Sequence, residues 1–314
     1  MSTTATTLTV VPVPGPGAED VLVGPDGTVY TGTADGSVFA VSPDGDLIRR
    51  ITSTGGRPLG LELLDADRLL VCDARRGLLA VDVEGGVVQV LADAVAGRPM
   101  RFCNNAAVLD DGTIWFTDSS TEWGIDEWKS DLIANTCTGR LLRLAPGESE
   151  PEVVLDGLSF ANGVARTSDG SAVIVAETGH RRLRRVHLTG DRAGSDDVLV
   201  DDLPAHPDNI ALGSDGLIWV TYASPADPTL AFLQTRATPW MRRLVLRAPE
   251  ALKPAPKRTA RVAAYDSHGQ LVHDVTAPAD AWHMATGVRE HDGRVWLGSL
   301  VEPALAWFDL PGAR

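Results

Sequence analysis

Four oxygen-bearing side chains recur at one spacing from a set of tight turns. Counting eight residues back from the glycines of Asp26-Gly27, Asp111-Gly112, Asp169-Gly170, Asp215-Gly216 and Asp292-Gly293 gives Glu19, Asn104, Asn162, Asp208 and Ala285. Counting seven back gives Asp20, Asn105, Gly163, Asn209 and Thr286. The first set is acidic or amide at four of its five positions, and the apolar runs beside it hold none of these types. Carboxylates, amide carbonyls and water are the ligands that Ca²⁺ gathers, about six to eight at a time. Glu19 and Asp208 bring two negative charges, and no His or Cys falls in the set, which disfavours zinc. Taken singly, an Asn or Asp ahead of a strand caps a turn or bonds to backbone. That explanation predicts no equivalence between distant stretches, so the set as a whole favours a shared cation.

Equivalent positions meet only if the elements carrying them are related by rotation. The turn anchors, with a degenerate sixth copy at Ala66-Asp67, are each followed by a β-rich run such as Thr28-Val29-Tyr30-Thr31, Thr113-Ile114-Trp115-Phe116 or Leu217-Ile218-Trp219-Val220. Third strands follow, as in Ser37-Val38-Phe39-Ala40-Val41 and Gly139-Arg140-Leu141-Leu142-Arg143-Leu144. Four-stranded units of about 40 to 50 residues, repeated, predict an all-β six-bladed β-propeller, a single domain over residues 1–314 whose innermost strands line a central channel. A sandwich shows no such repeat, and a parallel solenoid needs a shorter one. Two stretches break the rhythm: Ser119 to Thr138, and Ser224 to Arg258 with helix-like Leu230 to Arg236 and Trp240 to Arg247. As insertions at blade edges they are placed to cap the channel, with Trp123, Trp128 and Trp240 either at its entrance or packed on the rim. The segment Met1 to Gly17, with Pro12, Pro14 and Pro16, is barred from helix and is expected to complete the last blade as a strand.

The 314-residue chain is 44% hydrophobic and 22% charged, ordinary for a protein with a large core. Its net charge of −14 argues against nucleic acid or an anionic membrane as partner. Small molecules and cations are the expected partners, with the protein itself a monomer or small homo-oligomer. The cluster Arg181, Arg182, Arg184 and Arg185 is expected to be a solvated strand face. Cys72, Cys103 and Cys137 are an odd number without zinc spacing, so neither a disulfide framework nor a thiolate site is indicated. No signal-like or membrane-length apolar run stands out, and a cytoplasmic location is expected.

The chain resembles the family that contains senescence marker protein, gluconolactonase, paraoxonase and strictosidine synthase, a calcium-dependent phosphotriesterase superfamily, and especially its strictosidine-synthase-like branch. The marks are Ala18-Glu19-Asp20, Arg57-Pro58-Leu59-Gly60-Leu61, Phe116-Thr117-Asp118-Ser119-Ser120, Phe160-Ala161-Asn162-Gly163-Val164, Ala176-Glu177-Thr178 and Pro207-Asp208-Asn209-Ile210. The resemblance implies that Glu19, Asn162 and Asp208 ligate the metal, with Asn104 beside the metal or substrate and Asn209 a further ligand. It implies a hydrolase of a lactone or ester bond, using Ca²⁺ with Mg²⁺, Mn²⁺ or Zn²⁺ as substitutes.

Two departures stand out. Thr286 occupies the last-blade position where the amine–aldehyde condensing branch has a glutamate, and Leu59 with Cys72-Asp73 stand where paraoxonase-like chains carry a histidine pair. The general base is therefore open among Asp208, His206 and His283. Competing expectations are a cyclase, isomerase or lyase of specialised metabolism, and a non-catalytic ligand-binding propeller.

Overall fold

The turns carry their own hydrogen bonds, and these fix where each hairpin reverses. Asp111 Oδ1 accepts the Thr113 N–H at 2.9 Å, and Gly112 takes φ +83°, a left-handed value that costs glycine nothing. In the degenerate copy no glycine is present, and Asp65 does the same work, its Oδ1 accepting from the N–H groups of Asp67 and Arg68 at 3.1 and 2.9 Å.

The computed structural model describes residues 4–249 and 252–311. Strands between these turns form six sheets, each a four-stranded antiparallel meander, arranged as a six-bladed propeller. The first blade comprises Val21–Val23, Val29–Gly32, Ser37–Val41 and Ile48–Ser53. The second runs from Pro58–Leu63 to Val88–Ala92, the third from Cys103–Val108 to Glu152–Leu158, and the fourth from Ala161–Arg166 to Asp196–Val200. The fifth opens with Ala205–Leu212 and ends with Leu271–Ala277. The sixth has Ala285–His291, Arg294–Ser299 and Ala304–Asp309, and its fourth strand is Thr9–Pro12 from the other end of the chain. The pairing is antiparallel, Thr9 opposite Trp307 and Pro12 opposite Ala304. The expected N-terminal closure therefore forms, while Met1–Thr3 lie outside the described residues. Thr4–Ala5 add a parallel fifth strand to the outer edge of the fifth blade, which the sequence does not announce.

The core lies in wedges between neighbouring blades. Leu22, Val38, Leu61, Leu69, Val71 and Leu79 fill the one between the first and second, and Val11, Val21, Val29, Trp296 and Leu305 fill the one that closes the ring. Complete burial of each such side chain contributes about 1.5–3 kcal/mol, so the blades are held edge-on by apolar packing.

Both insertions leave their blades on the same side of the ring. The first, inside the third blade, carries helix α1 (Trp128–Ala134); the second, inside the fifth, carries α2 (Pro228–Thr235) and α3 (Pro239–Arg247). Asp227 caps α2, accepting the Leu230 N–H at 2.9 Å. Leu132 and Ile133 of α1 pack with Leu230 and Leu233 of α2 over Leu59, Phe102 and Phe160, closing a lid. Arg242 of α3 staples it, donating to the carbonyls of Ala134, Leu233, Gln234 and Ala237 at 2.8–3.3 Å.

Candidate metal centre

The inner strands do not run straight past the channel. In the second to fifth blades the register slips so as to leave Leu59-Gly60, Asn104-Asn105, Asn162-Gly163 and Asp208-Asn209 as two residues opposite one, and the fifth blade slips a second time between His206 and Pro207. A β-bulge of this kind re-aims side chains and is common beside functional sites. The first blade supplies the equivalent pair Glu19-Asp20 just before its inner strand. Glu19-Asp20, Asn104-Asn105, Asn162-Gly163 and Asp208-Asn209 are pairs that counting back from the turns picks out, while Leu59-Gly60 of the second blade is not among them.

The two members of a pair have different duties. First members face a cavity of about 820 Å³ of atom-free space, partly open to solvent, whose polar lining includes Glu19, Asn104, Asn162, Asp208, His206 and Thr178. Second members turn down between blades. Asp20 Oδ2 accepts the Leu61 N–H at 2.8 Å, Asn105 Oδ1 accepts the Val164 N–H at 2.8 Å, and Thr286 donates to the Glu19 carbonyl at 2.8 Å. Gly163 is a second member because nothing larger fits: a Cβ there would lie 2.2 Å from the Ile210 nitrogen.

Two amides are oriented by hydroxyls that sequence reasoning did not assign a role. Ser119 Oγ spends its one proton on the Ala161 carbonyl at 2.6 Å, so it can only accept from Asn104 Nδ2, 2.9 Å away. Thr178 Oγ1 donates to the Pro207 carbonyl at 2.8 Å and accepts from Asn162 Nδ2 at 3.1 Å. In both cases Oδ1 is left free. Asn104 Oδ1, Asn162 Oδ1 and Glu19 Oε2 are buried and accept no hydrogen bond from the described residues. Both hydroxyls stand one residue after a buried acid, Asp118 or Glu177, which anchors the N–H of Phe102 or Ser159 at 2.9 Å. That acid-hydroxyl pair was the available signal.

The electrostatics match. Burial, then the charges of Asp20 and Asp208, push the Glu19 carboxyl well above its ordinary value, with Arg57 and Asn209 pulling the other way. Asp208 is pushed up to about 7, chiefly by burial with repulsion from Asp20, against a hydrogen bond from Asn162. Buried acceptors without donors and carboxylates that repel one another are costly unless a cation joins them. The donor set of two carboxylates and two amide oxygens fits a hard divalent ion.

Of the sequence-predicted residues, Glu19, Asn104, Asn162, Asp208 and His206 meet on the cavity. Asn209 is 1% exposed and outside the lining, with neither of its side-chain amide atoms hydrogen-bonded among the described residues. Ala285 is fully buried, and the sixth blade offers Met284 and Leu300 instead. His283 is also outside the lining, paired with Glu302. Of the three tryptophans only Trp128 lines the cavity; Trp240 is 62% exposed on the lid and Trp123 lies off to the side. The expected solvated arginine face is instead partnered: Arg181, Arg182, Arg184 and Arg185 pair with Asp202, Glu177, Asp196 and Asp197.

Known proteins share both the sequence pattern and the architecture. Residues 35–227 match the SMP-30/gluconolactonase/LRE-like region, and residues 6–41 match the strictosidine synthase-like N-terminal family. The chain belongs to the SMP-30/gluconolactonase/LRE-like family. It is 33% identical over 323 aligned residues to adipocyte plasma membrane-associated protein of Salmo salar, covering 93% of this chain and 77% of that one. A gluconolactonase from Xanthomonas campestris superposes with a TM-score of 0.70 at 18% identity, covering 97% of this chain and 89% of the other. A calcium-binding protein, regucalcin, from Agrobacterium tumefaciens superposes with a TM-score of 0.69 at 15% identity, over 98% and 96%. These structural likenesses show the propeller.

Proposed function

We propose that this protein is a metal-dependent hydrolase of lactone or ester bonds in small, largely apolar molecules. The observation that carries the reading is that Glu19 Oε2, Asn104 Oδ1 and Asn162 Oδ1 are buried oxygens without a hydrogen-bond partner on residues that line one cavity together with Asp208. Glu19, Asn104, Asn162 and Asp208 would hold the cation. Calcium is the first choice, supported by the all-oxygen donor set and by the calcium-binding structural neighbour. When bound, the ion supplies Lewis acidity for the ester carbonyl.

The protein's own groups supply the rest. His206 Nδ1 lies 2.9 Å from the Thr178 carbonyl and donates to it, which fixes the tautomer and leaves Nε2 a free lone pair. Burial lowers the imidazole's pKa, so His206 is neutral near pH 7 and able to accept a proton from an attacking water. Above the polar floor Phe102, Trp128, Leu132, Phe160, Leu230 and Met284 form an apolar wall. Such a wall dehydrates the acyl or alkyl part of a substrate and gives a polyhydroxylated one little to bond.

Metal analysis of the purified protein, then a lactone and aryl ester screen with and without chelator, tests the reading. One bound divalent ion per chain and chelator-sensitive turnover are expected, both lost in Glu19→Gln with Asp208→Asn. Turnover retained in that double variant would overturn it. His206→Asn should keep the metal and lose about 100-fold or more in kcat/KM; unchanged kcat/KM removes His206 as base.

A further inference from the structure

We propose that the outer face of the lid docks the protein on an anionic lipid surface. The charge of the lid is unlike that of the rest of the molecule. The chain carries −14 overall, yet residues 228–258 hold seven basic side chains against one acidic, Glu250, a local balance of +6. Some of these cations are engaged within the fold: Arg242 and Arg258 donate to backbone carbonyls, and Lys257 lies 3.8 Å from Asp227. Arg236, Arg243 and Arg247 are exposed and enter no ion pair among the described residues.

Apolar side chains are interleaved with those three arginines. The inner stripe of α3 is Met241, Val245 and Leu246, packed on the apolar cluster of the lid. Its other side is Trp240, Arg243, Leu244 and Arg247, whose i, i+3, i+4, i+7 spacing puts them on one face of the helix. Trp240 is 62% exposed and Leu244 57%. On α2, Phe232 is 44% exposed one turn before Arg236, while Leu230 and Leu233 pack inward. Leu252, 75% exposed, follows α3. Tryptophan, phenylalanine and leucine set among arginines are what an interfacial helix presents: the apolar groups enter the boundary between headgroups and acyl chains, and the guanidinium groups stay with lipid phosphates and carboxylates. Among the described residues no helix is long and apolar enough to cross a bilayer, so the lid would lie on the surface.

The negative charge of the whole molecule does not oppose this docking. At physiological salt, charges more than about 8 Å from the lipid are largely screened, whereas the arginines of the lid would touch it. A second copy of the chain is a poorer occupant, because a two-fold contact through this face sets arginine against arginine. The position also suits a lipid surface: Leu230, Pro254, Ala255 and Pro256 of the same segment line the cavity, so docking would hold the cavity beside the lipid. The docking does not depend on the hydrolase reading, and its test involves no turnover.

Flotation of the intact chain with vesicles of phosphatidylcholine alone, or with about one-third phosphatidylserine, reads the interaction directly. Binding is expected with phosphatidylserine present, about tenfold weaker without it, and weakened by added salt. Arg243→Glu with Arg247→Glu should weaken it about tenfold or more, and Trp240→Ser with Leu244→Ser about fivefold or more, each at the wild-type thermal midpoint. Arg243→Lys with Arg247→Lys should stay within about threefold of wild type. A wild-type chain that floats with neither vesicle, or equally with both, overturns the proposal. So does a charge-reversed pair that floats as wild type, or a lysine pair that does not float. Undiminished flotation of Trp240→Ser with Leu244→Ser would mark a purely electrostatic patch, suited to an acidic protein or a nucleic acid, and would overturn lipid docking as well.

Discussion

Glu19 and Asp208 set the pH behaviour of the centre, because both hold protons that an unfolded chain would release. Asp208 titrates near 7 in the folded protein against an ordinary value of 3.8, and Glu19 is also raised. Between about pH 4 and 7 the folded, chelated protein thus binds more protons than the unfolded chain, so its stability falls as pH rises through that window. A bound cation reverses the sign by displacing those protons. In calorimetry at matched ionic strength, the chelated wild type should lose thermal midpoint from pH 5 to pH 8 relative to Asp208→Asn. Added calcium should restore it at pH 8 and do little at pH 5. An identical pH slope in the two chelated proteins would contradict the placement of these carboxylates. The residue types of this centre were legible in the sequence because rotation makes equal spacing equal position. The division of labour within each pair was not, since an Asn that faces a cavity and one that faces a neighbouring strand read alike. Asn209 shows this: it neighbours Asp208 in sequence yet lies outside the cavity lining that Asp208 joins.

At the scale of elements, the bulges hold the centre open, and the glycines in two of them decide how closely blades approach. A Cβ on Gly163 would meet only backbone of the fifth blade, the Ile210 nitrogen at 2.2 Å and the Asn209 Cα at 2.7 Å. Backbone cannot rotate away as a side chain can, so Gly163→Ala must displace the strand that carries Asp208. It should cost about 1–3 kcal/mol in denaturant unfolding and weaken calcium binding at least tenfold in calorimetric titration. A variant of wild-type affinity would show that the inner strands position Asp208 loosely. The strands themselves could be read from their turns and alternation. A bulge leaves no mark in hydropathy, because the extra residue falls where both faces are buried and the period-2 signal has already faded. The lid was visible as a break in rhythm, and helices beginning at Pro228 and Pro239 were foreseeable from Leu230 and Trp240 onward. Which tryptophan turns inward was not, since that depends on how Arg242 ties α2 and α3 to α1.

At the scale of the whole molecule, a ring of sheets is only as stable as its last seam. Here the seam is Thr9–Pro12 against Ala304–Asp309, sealed by Val11 and Val13, each 6% exposed, packed with Val21, Val29 and Trp296. The same wedge lies next to Glu19, whose backbone N–H donates to the Gly32 carbonyl at 3.2 Å and whose carbonyl accepts from Thr286 of the sixth blade. Closure and metal ligation are therefore coupled through one short stretch, Val11 to Asp20. Val11→Asp places a charge in that seam without shortening the chain, and an unpaired buried carboxylate costs several kcal/mol. The variant should unfold at a lower denaturant midpoint, and at denaturant concentrations below its unfolding it should release calcium more readily than wild type. Equal destabilisation with wild-type calcium affinity in the folded range would show that the seam and the centre are independent, and that the first blade holds Glu19 in place without help from the sixth.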